Sequence, residues 1–378
     1  MKKERSLLII VALLMIPFGG LFPTSNGISS DQDEIKLILD MDAAPDDLAA
    51  MLYLLKHPAI SVLGVGVSCG VAYVDAGVDM ALGILEHLGK SYIPVAAGKE
   101  TPLIVEHAFP TPWREGSYNS YGFNLPTTTL QPSSMNASEL IISLVENSES
   151  NVTLIATGPL TNIAIALETE PSIKSKIDRI HLMGGAIYAP GNVGLESDIP
   201  NYVAEWNIWV DPHAADIVFK SGLLISMVSL DATNQVPRTQ SFLDRLESVM
   251  ETPEALLLYE ITTPTLYFWD QLAVVSLTNP EVATWEEHCI EIVLDLENQE
   301  GKTNSTNTGL SNADVAVSAD ASIFEDLFIG YINGDLPPSD TTTTSTLTGL
   351  PPELLPLLAV GVGAVVVAAV AVSAMKRR

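Results

Sequence analysis

The sequence predicts an α/β fold in which a mainly parallel, Rossmann-like open sheet carries helices on both faces. Short apolar runs of strand length alternate with longer helical patterns along most of the chain. The short runs are continuously apolar, which is typical of parallel strands that are buried on both faces. Residues 31–335 are enough for one large α/β domain, and we expect a single domain there.

Apolar runs and helical patterns give the elements in order. The predicted strands are Ile35–Leu39, Val62–Val67, Ile93–Ala96, Val152–Ala156, Ile180–Met183 and Ile225–Val228. The predicted helices between them include Leu48–Leu55, Val78–Leu88, Leu160–Leu167 and Pro212–Lys220. In open parallel sheets, ligands bind beyond the carboxyl ends of the strands, so functional residues are expected directly after each strand.

The amino-terminal segment has the pattern of a targeting signal. Lys2, Lys3 and Arg5 precede an apolar run over residues 7–22. A basic start followed by a short apolar stretch predicts a secretion signal, placed at residues 1–27.

The carboxyl-terminal segment has the pattern of a membrane anchor. Residues 336–353 are rich in Pro, Ser and Thr and predict a stalk. Leu354–Met375 is an uncharged run of a length that crosses about 30 Å of hydrocarbon, and the basic tail 376–378 predicts a cytoplasmic end. We therefore expect a cell-surface protein with an extracellular domain and a C-terminal transmembrane helix.

The chain is strongly acidic, with 46 Asp and Glu residues against 18 Lys and Arg residues and a formal net charge of −28. Such a surface repels nucleic acid polymers and favours solubility. The sequence does not decide whether Cys69 and Cys289 form a disulfide, and it leaves a homodimer possible.

Carboxylates are concentrated after the first predicted strand, at Asp40, Asp42, Asp46 and Asp47. A helix N-terminus favours aspartate in its first turn, which accounts for Asp46 and Asp47. It does not account for Asp40 and Asp42, which end an apolar strand. Because Ca²⁺ and Mg²⁺ prefer carboxylate and carbonyl oxygens, the segment predicts a site for a hard divalent cation.

Later strands are followed by compatible groups. The turn Ala156–Asn162 offers a backbone carbonyl at Thr157, although a plain strand-to-helix turn explains it equally well. Met183-Gly184-Gly185, Gly191-Asn192 and Glu205-Trp206-Asn207 follow further along, and each alone is explained by loop polarity. Trp269-Asp270 opens an apolar helical stretch, where a buried aspartate needs a partner.

Taken in order, these segments resemble the inosine-uridine preferring nucleoside hydrolase family. The resemblance implies that Ca²⁺ is held by Asp42, Asp47, Asp270 and the carbonyl of Thr157. It also implies that the ion binds the attacking water and the ribose 2′- and 3′-hydroxyls. It implies that Asp42 is the general base. It also implies that ribose is bound by the residues Asp46, Asn192, Glu205 and Asn207. The expected reaction is calcium-dependent hydrolysis of the N-glycosidic bond of ribonucleosides, giving ribose and free base.

The sequence also departs from the family pattern. Ala43-Ala44 stands where many members have Pro-Gly, so the geometry of that loop is open. Trp269 stands where many members have a histidine that protonates the leaving base. With Trp113 in the segment Phe109–Arg114, it resembles the purine-specific branch, in which two indoles sandwich the base. Stacking on an aromatic face is worth about 1–3 kcal/mol per base in nucleic-acid systems.

Two other functions remain open at this point. A phosphatase of the haloacid dehalogenase type also begins with a strand followed by Asp-x-Asp, but Ala43-Ala44-Pro45 follows here, and an acidic surface suits phosphate esters poorly. A non-catalytic calcium-containing surface binding protein is the other alternative. Retention of the four aspartates Asp42, Asp46, Asp47 and Asp270 argues against it.

Overall fold

A nine-stranded sheet forms the centre of the protein in a computed structural model that describes residues 34–306 and 309–335. The strands are β1 Ile35–Met41, β2 Ile60–Val67, β3 Val95–Ala97, β4 Val152–Ala156, β5 Ile177–Met183, β6 Ile225–Val228, β7 Ala283–Ile292, β8 Thr303–Thr306 and β9 Ala313–Ala319. Their order across the sheet is β3-β2-β1-β4-β5-β6-β9-β7-β8. The pairs from β3 to β9 are parallel, whereas β7 pairs antiparallel with both β9 and β8.

The helices lie between the strands in the chain. They are α1 Pro45–Lys56, α2 Val74–His87, α3 Thr111–Gly116, α4 Ala137–Asn147, α5 Thr161–Thr169, α6 Val193–Glu196, α7 Trp206–Val210, α8 Pro212–Phe219, α9 Leu230–Thr233, α10 Gln240–Val249, α11 Pro253–Ile261, α12 Trp269–Thr278 and α13 Ala321–Asn333. Short 3₁₀ turns occupy Ser117–Gly122, Pro171–Lys176 and Pro280–Val282. The α/β architecture with a mainly parallel sheet is confirmed.

Two hydrophobic cores cover the faces of the sheet. Along β1, Leu37 and Leu39 belong to the core beneath α1, α2 and α12, while Ile38 belongs to the core beneath α4, α5 and α8. Side chains of a strand alternate between faces, so one continuously apolar strand serves both cores.

The order of the strands reverses between β1 and β4. From β1 the chain builds β2 and β3 on one side, and β4, β5 and β6 extend the sheet on the other. Helices leave the carboxyl ends of β1 and β4 on opposite faces, which opens a crevice between them. Asp40 pairs with Ala156 at this position, so the acidic segment and the Thr157 turn lie side by side.

The predicted membrane anchor is corrected by the structure. None of the helices within 34–306 and 309–335 is long and apolar enough to cross a membrane. The longest, α2, has 14 residues, whereas a transmembrane helix needs about 20. The predicted signal, stalk, span 354–375 and basic tail lie outside the described residues. The prediction of a cell-surface location is therefore wrong.

Candidate active site

A cavity of about 670 Å³ opens above the reversal of strand order. All ten residues singled out from the sequence line it, namely Asp42, Asp46, Asp47, Trp113, Thr157, Asn192, Glu205, Asn207, Trp269 and Asp270. They come from the ends of β1 and β4, from α3, and from the starts of α1, α6, α7 and α12. The carboxyl edge of the sheet therefore gathers groups that lie far apart in the sequence.

Asp47 is held at the centre of the acidic cluster by donors from two strand ends. Its Oδ2 accepts a hydrogen bond from the backbone N–H of Ala44 at 2.9 Å, and its Oδ1 accepts one from the backbone N–H of Asp42 at 3.2 Å. The hydroxyl of Thr157 donates to the same Oδ1 at 2.5 Å. Because α1 begins at Pro45, Asp46 and Asp47 occupy its first turn, where the helix dipole favours negative charge.

Asp42 is enclosed by two glycines. A Cβ built on Gly70 would lie 2.0 Å from Asp42 Oδ2, and one on Gly158 would lie 2.7 Å from Asp42 Cβ. Neither position therefore admits a larger residue without displacing the carboxylate. The backbone N–H of Val71 donates to Oδ2 at 2.9 Å and fixes the orientation of the side chain.

Burial and mutual repulsion disfavour charge on these carboxyl groups. Burial raises the pKa of Asp42 and of Asp46, and it raises the pKa of Asp47 and of Asp270 well above the usual value. Neighbouring aspartates raise the last two pKa values further. Burial also raises the pKa of Asp40, beneath the cluster, to about 7. Such an arrangement is stabilised when a cation offsets the negative charge.

The donor set fits a calcium ion. One oxygen each from Asp46, Asp47 and Asp270 lies within 4.8 Å of the others, and hard oxygen ligands of this kind suit Ca²⁺. Asp42 is not part of this close triplet, although it lines the same cavity. The carbonyl of Thr157 accepts a hydrogen bond from Asn207 Nδ2 at 3.1 Å and keeps a second lone pair.

The polar residues on the far wall also hold that wall together. The carboxylate of Glu205 caps α7 by accepting from the backbone N–H groups of Asn207 and Ile208, and it accepts from Gly185 as well. Burial raises the pKa of Glu205 to about 7 in spite of these bonds. Asn192 Oδ1 accepts from the backbone N–H of Trp206 at 3.1 Å. These side chains thus have a structural role whatever else they bind.

Aromatic rings form the outer part of the cavity. Trp206 stacks on Phe109 with ring centroids 4.7 Å apart, and Trp113 meets Trp206 edge-on at 5.6 Å. Trp113 is 37% exposed, although it is a large apolar side chain. Trp269 contributes from the first position of α12. The cavity therefore joins an acidic floor to an aromatic wall.

The helix that carries Trp113 is fixed to the body of the protein. Arg114 forms an ion pair with Glu100, and its guanidinium lies 4.3 Å from the centroid of the Tyr73 ring. Glu100 also accepts from the backbone N–H of Val74 at 2.9 Å. These contacts hold α3 over the cavity.

Sequence reasoning missed several residues of the cavity. Tyr121, Glu196 and Arg238 line it. Trp206 also lines it, although the sequence predicted no role for this residue between Glu205 and Asn207. The Tyr121 hydroxyl is buried without a hydrogen-bond partner among the described residues. Arg238 lies more than 30 residues from any predicted site residue on either side, so the sequence offered no local signal for it.

Three comparisons with known proteins identify the family of this chain. The family model described as inosine-uridine preferring nucleoside hydrolase matches residues 37–326. The chain is 35% identical over 311 residues to the pyrimidine-specific ribonucleoside hydrolase RihA of Shewanella woodyi, covering 77% of this chain and 96% of that protein. The fold is that of a nucleoside hydrolase, and the chain belongs to the inosine-uridine preferring nucleoside hydrolase family.

Other relatives set limits on what this membership carries. The chain is 40% identical over 213 residues to RihA of Shewanella sp. strain ANA-3, a match that spans only 64% of that relative. Among solved structures, the purine-preferring ribonucleoside hydrolase from Gardnerella vaginalis matches with a TM-score of 0.70 and 28% identity, covering 79% of this chain and 98% of that one. The membership excludes the phosphatase alternative. The RihA relatives are named as pyrimidine-specific, whereas the Gardnerella vaginalis enzyme is named as purine-preferring.

Proposed function

We propose that this protein hydrolyses the N-glycosidic bond of purine ribonucleosides to ribose and free base, with calcium as its cofactor. The observation that carries the proposal is the combination, in one cavity, of a buried acidic cluster with an aromatic wall. Neither part alone indicates the reaction. Together they offer a site for a cation and polyhydroxyl sugar next to a site for a flat base.

Four groups are proposed to hold the ion, as the resemblance implies: the carboxylates of Asp42, Asp47 and Asp270 and the carbonyl of Thr157. Asp46 is close enough to Asp47 and Asp270 to be a further ligand. When bound, Ca²⁺ lowers the pKa of water and offsets the charge of the cluster.

Asp42 is proposed to accept a proton from the attacking water. The water oxygen bonds to C1′ as the bond from C1′ to the base nitrogen breaks, and the electron pair leaves with the base. The base takes up one proton from solvent and Asp42 releases its proton to solvent, so the products are ribose and a neutral base. Positive charge develops on the ribose ring, and the buried carboxylates around it favour that charge.

Asp46, Asn192, Glu205 and Asn207 are proposed to bind the ribose hydroxyls, in addition to any structural hydrogen bonds described above. All four line the cavity that contains the acidic cluster, and Asp46 is itself part of that cluster. Positioning the sugar against the attacking water turns a bimolecular step into an intramolecular one.

Trp113 and Trp269 are proposed to clasp the base. No histidine lines this cavity in the described part of the chain, so activation of the leaving group is assigned to stacking and to protonation of the base. A purine offers N7 and a large face, and stacking is worth most when the base is protonated.

Pyrimidine ribonucleosides are the second candidate substrates. The RihA relatives named above are pyrimidine-specific by name. The aromatic wall with Trp113, Trp206 and Trp269 favours the larger base, and for that reason we place purines first.

Ribose release tests the proposal directly. Release should occur from inosine in the presence of Ca²⁺, stop with a chelator and return when Ca²⁺ is restored. Release from uridine alone would replace purines by pyrimidines as substrates. Calcium binding with no release from any nucleoside would favour the non-catalytic binding protein.

A further inference from the structure

Arg238 is a buried cation on the wall of the cavity. It is only 9% exposed, and its backbone N–H donates to the carbonyl of Leu266 at 3.0 Å. Its Nε donates to the carbonyl of Thr265 at 2.7 Å. Leu266 and Trp269 line the same cavity, so Arg238 lies on the wall that carries the second tryptophan.

Most N–H donors of this guanidinium have no acceptor among the described residues. A guanidinium has five N–H donors, and the hydrogen bond to Thr265 uses one. Within residues 34–306 and 309–335, no carboxylate forms an ion pair with Arg238, its terminal nitrogens have no hydrogen-bond partner, and the residue lines the cavity. Burying a cation without direct partners is costly, which indicates that a ligand supplies the acceptors.

The Arg238 side chain is charged at neutral pH, as arginine is in proteins. Burial lowers the pKa of Arg238, while Asp46 and Asp270 raise it. Apart from the bond from Nε to Thr265, the guanidinium offers the cavity hydrogen-bond donors only. It selects against any ligand edge that presents another donor.

We propose that Arg238 recognises the O6 and N7 atoms of a 6-oxopurine base and makes the enzyme prefer inosine and guanosine to adenosine. This inference rests on the purine ribonucleoside function proposed above. Hypoxanthine and guanine present two adjacent acceptors, O6 and N7, which match the fork of an arginine. Adenine presents an acceptor at N7 but a donor at N6, so one of the two contacts becomes unfavourable.

In the bound substrate N7 is unprotonated and accepts from Arg238, and once N7 takes up a proton in the reaction the contact at O6 remains. Arg238 keeps its protons throughout and acts by hydrogen bonding alone. The corresponding edge of uracil, with O4 beside C5, offers a single acceptor.

The test is the ratio of kcat/KM for inosine to that for adenosine, measured on the full chain with Ca²⁺. The wild type should prefer inosine and guanosine by about tenfold or more. In Arg238→Met the ratio should fall towards one, mainly through loss of inosine cleavage, while Arg238→Lys should keep part of it. The control is Arg245→Met, which removes a cation paired on the surface with Glu325 and Asp326.

An equal loss for inosine, adenosine and uridine in Arg238→Met would overturn the inference and leave Arg238 as a charge that offsets the acidic cluster. Binding of free bases to the wild type provides a second measurement that does not depend on turnover or on the folding of a variant. Calorimetry should show hypoxanthine bound more tightly than adenine, and equal affinities would overturn the inference. Failure of the proposed function would show separately, as absence of ribose release from every purine nucleoside.

Discussion

The hydroxyl of Thr157 donates a 2.5 Å hydrogen bond to Asp47 Oδ1, which joins the end of β4 to the first turn of α1. The bond crosses the point at which strand order reverses. It fixes the carboxylate at the centre of the acidic cluster, while the carbonyl of the same threonine accepts a hydrogen bond from Asn207.

Thr157→Val should therefore weaken calcium binding. The substitution removes the hydroxyl and keeps both the shape and the carbonyl, so Asp47 loses an orienting partner. Loss of such a partner commonly costs 10- to 100-fold in metal affinity. Calorimetric titration with Ca²⁺ measures this. Thr233→Val is the matched control, because the buried Thr233 hydroxyl has no partner among the described residues. Wild-type affinity in Thr157→Val would contradict the assigned role.

Asp42→Asn and Asp46→Asn should separate the base from the ribose ligand. Asp42→Asn should remove turnover and weaken Ca²⁺ binding, because one carboxylate is proposed to serve both purposes. Asp46→Asn should mainly raise KM while Ca²⁺ stays bound. Calorimetry and initial rates on the two variants measure this. Equal loss of Ca²⁺ would refute the division and assign Asp46 to the ion, as its place in the close triplet suggests.

The sequence was sufficient for six of the seven strands that pair in parallel, all but β9, and for the acidic floor of the cavity. Continuous apolar runs identified β1 to β6, and strand ends supplied the site residues. Strand β7 was not predicted because it contains Glu286, Glu287 and Glu291, is half exposed and has no continuous apolar run. The position of Arg238 on the cavity wall was not predicted because it depends on a hydrogen bond to the distant residue Thr265, which no local pattern encodes.

Ala43→Gly should stabilise the fold. Ala43 has φ of 58°, a left-handed conformation that costs a residue with a Cβ about 1–2 kcal/mol and glycine very little. Its methyl group fits beside Gly77, where an added Cβ would lie 2.8 Å away. Relief of strain is opposed by the greater entropy of glycine in the unfolded chain, so the net gain should be below about 1 kcal/mol. Urea unfolding measures it. Ala44→Gly, at φ −70°, should destabilise instead.

Trp269→Ala should slow purine cleavage by more than it weakens binding. Stacking is proposed to matter most on the protonated leaving base, so kcat should fall further than KM rises. Trp113→Ala should act in the same direction but less strongly, since Trp113 is more exposed. Steady-state kinetics with inosine and uridine measure both effects. Trp285→Ala is a control on an indole outside the cavity lining. Comparable kcat/KM for uridine and inosine in the wild type would refute the purine preference.

His181→Gln should make the protein less sensitive to acid. His181 is buried in β5, and its Nε2 lies 2.9 Å from the carbonyl of Ala273. Burial lowers its pKa to about 4, from about 6.5 in the unfolded chain. The folded state thus binds this proton less readily than the unfolded state does. Its contribution to stability is complete above pH 6.5 and is lost as the pH falls towards 4, at up to about 1.4 kcal/mol per pH unit. Gln keeps a donor for Ala273 and does not titrate.

Urea unfolding at pH 7.5, 6 and 5, at saturating Ca²⁺, should therefore show a smaller loss of unfolding free energy in His181→Gln than in the wild type. The exposed His87 provides the control, since His87→Gln should keep the wild-type slope. An unchanged slope in His181→Gln would show that the acid sensitivity arises elsewhere.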